Sequence, residues 1–215
     1  HHDQTRRQRQ MCIRDSDVID EIKSEADESL RQISGIDSDT FEKTSTAIKT
    51  RGFWLGTNLI TALIAASVIN IFKETLEQVI FLAVLMPIIA SMGGVAATQT
   101  LTITVRGLAL GQIVRANYLY IFNRELMVGI SNGFIWAVIL SLIACSWFQD
   151  WLLAWVICLS MIINLVAGVL SGMGIPILLK SLKMDPAVAG SVIVTTVTDV
   201  IGFFSFLGLA SYFYS

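Results

Sequence analysis

Five long apolar runs follow a polar N-terminal part in this chain of 215 residues. The runs cover residues 53–72, 76–105, 125–148, 151–179 and 187–211. Each is long enough for an α-helix to cross a bilayer, which takes about 20 residues. The pattern therefore predicts an all-α integral membrane protein with five transmembrane helices. Because the second run contains Pro87 and the pair Gly93-Gly94, we expect its helix to kink or break there.

The chain divides into three parts by this pattern. Residues 1–16 lack any periodicity, and we interpret them as a tag, a disordered stretch or a sequence-assembly artefact outside the fold. Residues 17–51 predict a cytoplasmic helical segment, and residues 52–215 the transmembrane domain.

The cytoplasmic segment contains two predicted helices. The first, Asp17 to Ile33, has its apolar residues on one helical face. Its other face carries several carboxylates, which form either a solvated surface or a surface that binds divalent cations. Asp39 and Glu42 have the spacing of a capping box, so a second helix begins there. We expect it to enter the first span after a brief break at Gly52.

The distribution of charge agrees with five spans. Eleven of the seventeen acidic residues lie in residues 1–42. Three of the segments that flank the spans carry eight basic residues: Lys43, Lys49, Arg51, Arg106, Arg115, Arg124, Lys180 and Lys183. The connections on the opposite side carry Lys73 alone. The positive-inside rule therefore predicts a cytoplasmic N-terminus and an external C-terminus, and it favours five spans over four or six.

Small residues recur at intervals of four in two of the spans. Gly129 and Gly133 form one small-xxx-small pair, and Gly168 and Gly172 form another. Such pairs let two helices pack closely in a membrane. The same spans contain Asn132 and Asn164, which we interpret as interhelical hydrogen-bonding groups, with a ligand role as the alternative.

Asp199 is the one charged residue of the fifth run. A carboxylate at the bilayer centre costs about 2.5–3.5 kcal/mol on insertion scales, so we expect it to face protein or water. Ser191, Thr195 and Gly202 fall on the same helical face. This polar stripe predicts the lining of a cation path, with a structural hydrogen bond between helices as the alternative.

A second polar stripe lies on the second span, with Gln99 beside it: Ser91, Gly94, Thr98 and Thr102. If the two stripes face each other, they form an oxygen-lined tube that suits hard cations such as Mg²⁺ or Ca²⁺. Mg²⁺ usually keeps several of its waters, so it needs few protein carboxylates. Since a single Asp matches a divalent charge poorly, we expect a symmetric dimer that brings two copies of Asp199 to one axis.

Two stretches resemble the membrane domain of the MgtE family of magnesium transporters: PIIASMGGVAATQTLTITVRGLALGQI (Pro87–Ile113) and KSLKMDPAVAGSVIVTTVTDVIGFF (Lys180–Phe204). The resemblance extends over roughly residues 17–215. It implies a homodimeric, multi-pass magnesium channel of the inner (plasma) membrane, with the pore between protomers. Asp199 matches the family's pore carboxylate, and Thr195 matches a backbone carbonyl ligand one turn earlier. Ser191 stands where some members have Asn.

The resemblance also covers the cytoplasmic segment, in which Asp17–Gly35 resembles the family's last CBS helix and Asp39–Arg51 its connecting plug helix. Asp17, Glu25 and Glu28 match acidic residues that bind regulatory Mg²⁺ in the family. Ser29 stands where an acid is common, and Val95 stands where the family often has an Asn ligand. Because the family's N-terminal superhelical domain and most of its paired CBS domains have no counterpart in this sequence, we expect weak Mg²⁺-dependent closure or none.

Several other functions compete with magnesium transport. An intramembrane aspartyl protease needs two Asp residues on facing helices and only Asp199 is available, so we expect no enzyme. A transporter of another divalent cation, such as Co²⁺ or Ca²⁺, and a truncated, non-transporting membrane fragment remain alternatives. The partners we expect are a second copy of the chain, the lipid bilayer and divalent cations, without nucleic acid.

Overall fold

The computed structural model describes residues 43–114, 116–183 and 186–214, with the backbone alone at 186–189. These ranges contain six α-helices and no strand. In chain order the helices are α1 Thr44–Ile71, α2 Lys73–Gln78, α3 Phe81–Ala109, α4 Tyr118–Phe148, α5 Trp151–Ser181 and α6 Pro186–Tyr214. Within the described residues, five of them are long and apolar enough to cross a membrane: α1, α3, α4, α5 and α6. The all-α membrane architecture with five spans is therefore confirmed.

The breaks predicted at Gly52 and in the second span were wrong, whereas a kink in the second span stays a prediction. Helix α1 runs without a break through Gly52, and α3 continues through Pro87 and the pair Gly93-Gly94. Inside a bilayer no water competes for the backbone hydrogen bonds, so a helix there tolerates Gly and Pro that would interrupt it in solution. The expected capping box at Asp39 lies outside the described residues.

The ends of the spans also differ from the predicted ones. The predicted start of the second span falls within α2, a short helix on the far side of a turn from Phe81, where α3 begins. The polar connection expected between Arg106 and Arg124 is shorter than predicted, because α3 continues to Ala109 and α4 begins at Tyr118.

Helix α5 is the centre of the bundle. It packs against α3, α4 and α6, whereas α1 makes its substantial contacts with α6. At one end, Leu82, Leu153, Val156, Phe206 and Leu207 form a fully buried core shared by α3, α5 and α6. The two helices that carry the predicted polar stripes, α3 and α6, are thus both held against α5.

Glycines of α5 bring its backbone against α3. A Cβ atom on Gly168 would lie 2.8 Å from the Gly93 carbonyl oxygen, and one on Gly172 would lie 2.5 Å from the Ala97 carbonyl oxygen. On the opposite side, a Cβ atom on Gly129 of α4 would lie 2.6 Å from a methyl carbon of Val169. The close helix packing predicted from the two small-xxx-small pairs is confirmed.

Candidate functional site

Helix α6 carries the predicted pore residues on an unbroken helix. Asp199 lies at its middle and is half-buried. Thr195 lies one turn before it, and its hydroxyl donates to the Ser191 carbonyl oxygen at 2.9 Å. The carbonyl oxygen of Thr195 accepts a hydrogen bond from the Thr198 hydroxyl at 2.9 Å. The carbonyl that the family resemblance assigns to an ion is therefore engaged within its own helix.

A groove of about 690 Å³ runs along α3 and is closed on one side by Thr195 of α6. Its other lining residues are Ser91, Gly94, Val95, Thr98, Gln99, Thr102 and Ile103. The predicted stripe of the second span thus faces the fifth span at Thr195. Ser191 and Asp199 are not among the residues that line this groove.

Contacts between the helices fix the depth of Asp199. Gly190 of α6 lies against Leu101 of α3, and Gly202 lies against Asn164, a side chain that also touches Gly93 of α3. The two helices are therefore antiparallel. Since Asp199 is much closer in sequence to Gly202 than to Gly190, it lies at the depth of the Gly93 end of the groove.

The threonines of the groove present oxygen lone pairs. Thr98 donates its hydroxyl hydrogen to the Gly94 carbonyl oxygen, and Thr102 donates to that of Thr98, each at 2.8 Å. A hydroxyl has one hydrogen and two lone pairs, so these oxygens remain free to accept. A cation that retains its waters presents O–H donors at its surface, and the groove suits such a ligand.

Carboxylates are sparse around the groove. Among the described residues no group of three or more His, Cys, Asp or Glu side chains is placed to hold a metal ion. Val95 and Ile103 make part of the lining apolar. The groove of one protomer therefore presents neutral oxygens and apolar side chains, rather than a cage of charged ligands.

Asn164 of α5 lies where α3, α5 and α6 meet. Its side chain is fully buried, and its Nδ2 donates to the Ile89 carbonyl oxygen of α3 at 2.8 Å. The interpretation of Asn164 as an interhelical hydrogen-bonding group is confirmed. Asn132, by contrast, lies on the exposed side of α4, and the same interpretation stays a prediction for it.

Two further polar contacts were missed by the sequence reasoning. Asp150 caps the start of α5 by accepting from the Leu152 and Leu153 N–H groups at 2.8 and 3.2 Å, and it also accepts a short hydrogen bond from the Tyr214 hydroxyl. An Asp directly before an apolar run is itself a capping signal. The second contact is a hydrogen bond from Lys180 Nζ to the Leu108 carbonyl oxygen at 3.2 Å, near the end of α3.

The predicted regulatory residues Asp17, Glu25 and Glu28 lie outside the described residues, so the regulatory magnesium site stays a prediction.

Comparison with known proteins finds relatives that match most of the chain. Three curated relatives carry the name "Magnesium transporter MgtE". The protein from Bacillus subtilis is 33% identical over 199 residues, covering 92% of this chain and 44% of the relative. Those from Enterococcus faecalis and Thermus thermophilus are 29% and 28% identical, covering 92% and 90% of this chain and 44% of each relative. The chain spans less than half the length of these relatives.

A sequence profile described as "MgtE: Divalent cation transporter" matches residues 86–209, from α3 to α6. The match includes every residue of the groove and Asp199, and it extends over more than half of the chain. The chain belongs to the MgtE family of divalent cation transporters.

Proposed function

We propose that this chain moves Mg²⁺ across the plasma membrane through a pore formed by two copies, each contributing α3 and α6. Its membership of a transporter family, with five helices that can cross a membrane, makes it a multi-pass membrane protein and not an enzyme. The name magnesium transporter belongs to its relatives. Mg²⁺ as the ion of this chain, and the dimer, are our proposals.

The observation that carries the proposal is the polar groove on the outer face of the protomer. Ser91, Thr98, Gln99 and Thr102 are all exposed on α3, a helix whose length and composition fit a membrane span. A hydroxyl can be satisfied within its own helix, but the amide of Gln99 needs hydrogen-bond partners that lipid cannot supply. A second copy placed over this groove would enclose it and give these groups an aqueous path.

The chemistry of the lining supports a hydrated divalent ion. Mg²⁺ releases its waters reluctantly and usually keeps several of them. The hydroxyl oxygens of Thr98, Thr102 and Thr195 have their hydrogens engaged in the helices and can accept from those waters. This contact requires no direct coordination, which agrees with Val95 in place of an amide ligand.

Charge balance supports the dimer. One Asp199 per protomer leaves a divalent ion with half of its charge unmatched, and two copies related by a two-fold axis would match it. We propose that the two Asp199 side chains hold the hydrated ion at the depth of the Gly93 end of the groove, with Thr195 and Ser191 one and two turns away.

Uptake of Mg²⁺ by the purified protein in liposomes tests the proposal. We expect the native chain to carry Mg²⁺ and Asp199→Asn, which removes the charge but keeps the shape, to lower uptake by at least about tenfold. Glu74→Gln, a change of an exposed carboxylate on α2, is the matched control and should leave uptake unchanged. Equal uptake by Asp199→Asn and native protein would overturn the pore site.

Competition separates the candidate ions in the same assay. We expect excess Co²⁺ or Ca²⁺ to inhibit Mg²⁺ uptake less than excess unlabelled Mg²⁺ does. Faster uptake of one of the other ions would instead identify the chain as a transporter of that ion. Crosslinking in membranes tests the dimer, and a strictly monomeric species would contradict a pore between protomers.

A further inference from the structure

Asn164 is an unusual side chain for the centre of a membrane bundle. It is fully buried, and its Oδ1 has no hydrogen-bond partner in the described part of the protein. The orientation of the amide is fixed, because the Ile89 carbonyl can only accept and Nδ2 must therefore face it. A buried acceptor left without a donor destabilises a protein, whereas an apolar side chain of similar size would avoid that penalty.

The amide of Asn164 lies between two glycines on different helices. A Cβ atom on Gly93 of α3 would overlap Nδ2 severely, and one on Gly202 of α6 would lie 2.8 Å from the same nitrogen. Because glycine has no side chain, the amide lies directly against the backbones of both helices. The thickness of one amide group thus sets the distance between α3 and α6 at this depth.

This depth matters for the groove. Gly93 adjoins Gly94, a lining residue, and Gly202 lies less than one helical turn beyond Asp199. A change in the separation of α3 and α6 at Asn164 would therefore alter both the width of the groove and the position of Asp199 relative to it.

We propose that Asn164 is a positioning residue that sets the spacing of α3 and α6, and through it the discrimination between Mg²⁺, which keeps its waters, and divalent cations such as Ca²⁺ that release them more readily. The hydrogen bond to Ile89 holds the amide in register with α3, and contact with Gly202 holds α6 against it. The inference about ion discrimination rests on the proposed transport function, whereas the inference about spacing does not.

The first test is the ratio of Ca²⁺ to Mg²⁺ uptake in liposomes. A variant that is merely less stable carries both ions more slowly and keeps the ratio, whereas a change in groove width alters the ratio. We expect Asn164→Leu, which keeps the approximate volume but replaces the flat amide with a thicker branched group and loses the hydrogen bond to Ile89, to raise the ratio severalfold. Asn132→Leu, the same change on the exposed face of α4, should leave the ratio unchanged.

The second test needs no transport. In a chain whose three cysteines are replaced by serine, Thr98→Cys and Thr195→Cys place one thiol on each wall of the groove. Crosslinking reagents of graded length then report the gap within one protomer, and the mass of the product separates intramolecular from intermolecular links. We expect Asn164→Leu to shift the preferred reagent length.

A second variant allows the same test if Asn164→Leu folds poorly. Gly202→Ala keeps Asn164 and adds a Cβ atom against its amide, so it should widen the gap, while Gly174→Ala, at a glycine with no atom within 4 Å, should not. If native protein carries no Mg²⁺, the transport proposal fails and the crosslinking result still decides the role of Asn164. An unchanged ion ratio together with an unchanged reagent profile would overturn that role.

Discussion

Substitution of Gly172 by alanine tests the close backbone contact between α3 and α5. The new Cβ atom would lie 2.5 Å from the Ala97 carbonyl oxygen and 3.0 Å from Thr100 Cβ, whereas ordinary contacts begin at 3.4 Å. Helices α3 and α5 would have to separate by about 0.9 Å, the difference between 3.4 and 2.5 Å. Overpacking of this kind typically costs about 1–3 kcal/mol. The gain in helix propensity from Gly to Ala offsets up to about 1 kcal/mol.

We therefore expect Gly172→Ala to lower the free energy of unfolding by up to about 2 kcal/mol. Two residues away on the same helix, a Cβ atom added to Gly174 would meet no atom within 4 Å, so Gly174→Ala should keep the propensity gain and be neutral or slightly stabilising. Unfolding of the purified protein by SDS in mixed micelles measures both values. Equal or greater stability of Gly172→Ala than of Gly174→Ala would refute the backbone contact between α3 and α5.

Three smaller predictions concern the helix ends. Partial burial works to raise the pKa of Asp150, but the hydrogen bonds from Tyr214, Leu153 and Leu152 together lower it below 3.8. The stability that this carboxylate contributes is therefore complete above pH 3.8 and is lost as the pH falls through the folded-state pKa. Tyr214→Phe removes one of the hydrogen bonds that lower this pKa, so it should make the loss of stability smaller. Thermal unfolding measured across acidic pH tests this. Asp150→Ala should cost about 1 kcal/mol at neutral pH as a lost N-cap, whereas Asp150→Asn should retain most of it. Lys180→Met should speed amide hydrogen exchange at the last turn of α3, because it removes the hydrogen bond to the Leu108 carbonyl; exchange at native rates there would contradict a capping role.

The spans could be predicted because hydropathy alone reports them. A run such as residues 151–179 has no alternative to crossing the bilayer as a helix, and the structure places α5 at Trp151–Ser181. The ends were less predictable, since the helices continue past the apolar runs into polar residues such as Arg106 and Arg124. Hydropathy reports burial in the bilayer, whereas the last turns of these helices consist of polar residues at the membrane surface. The hydropathy pattern therefore does not indicate where each helix ends.

The polar stripe of α3 was also predictable, because small polar residues recur on one helical face. The alignment of that stripe with α6 along the helix axes could not be predicted. It depends on where the amide of Asn164 meets Gly93 and Gly202, three residues on three helices that are far apart in sequence. The Tyr214 contact with Asp150, across 64 residues, is likewise set by the packing of α5 and α6 and has no local signature.

Helix α1 carries a mechanical consequence. It is a single helix of 28 residues, about 42 Å long at 1.5 Å per residue, and it has no hinge at Gly52. Its substantial contacts are with α6. A displacement near Thr44 would therefore have a continuous helix through which to reach α6, the helix that bears Asp199.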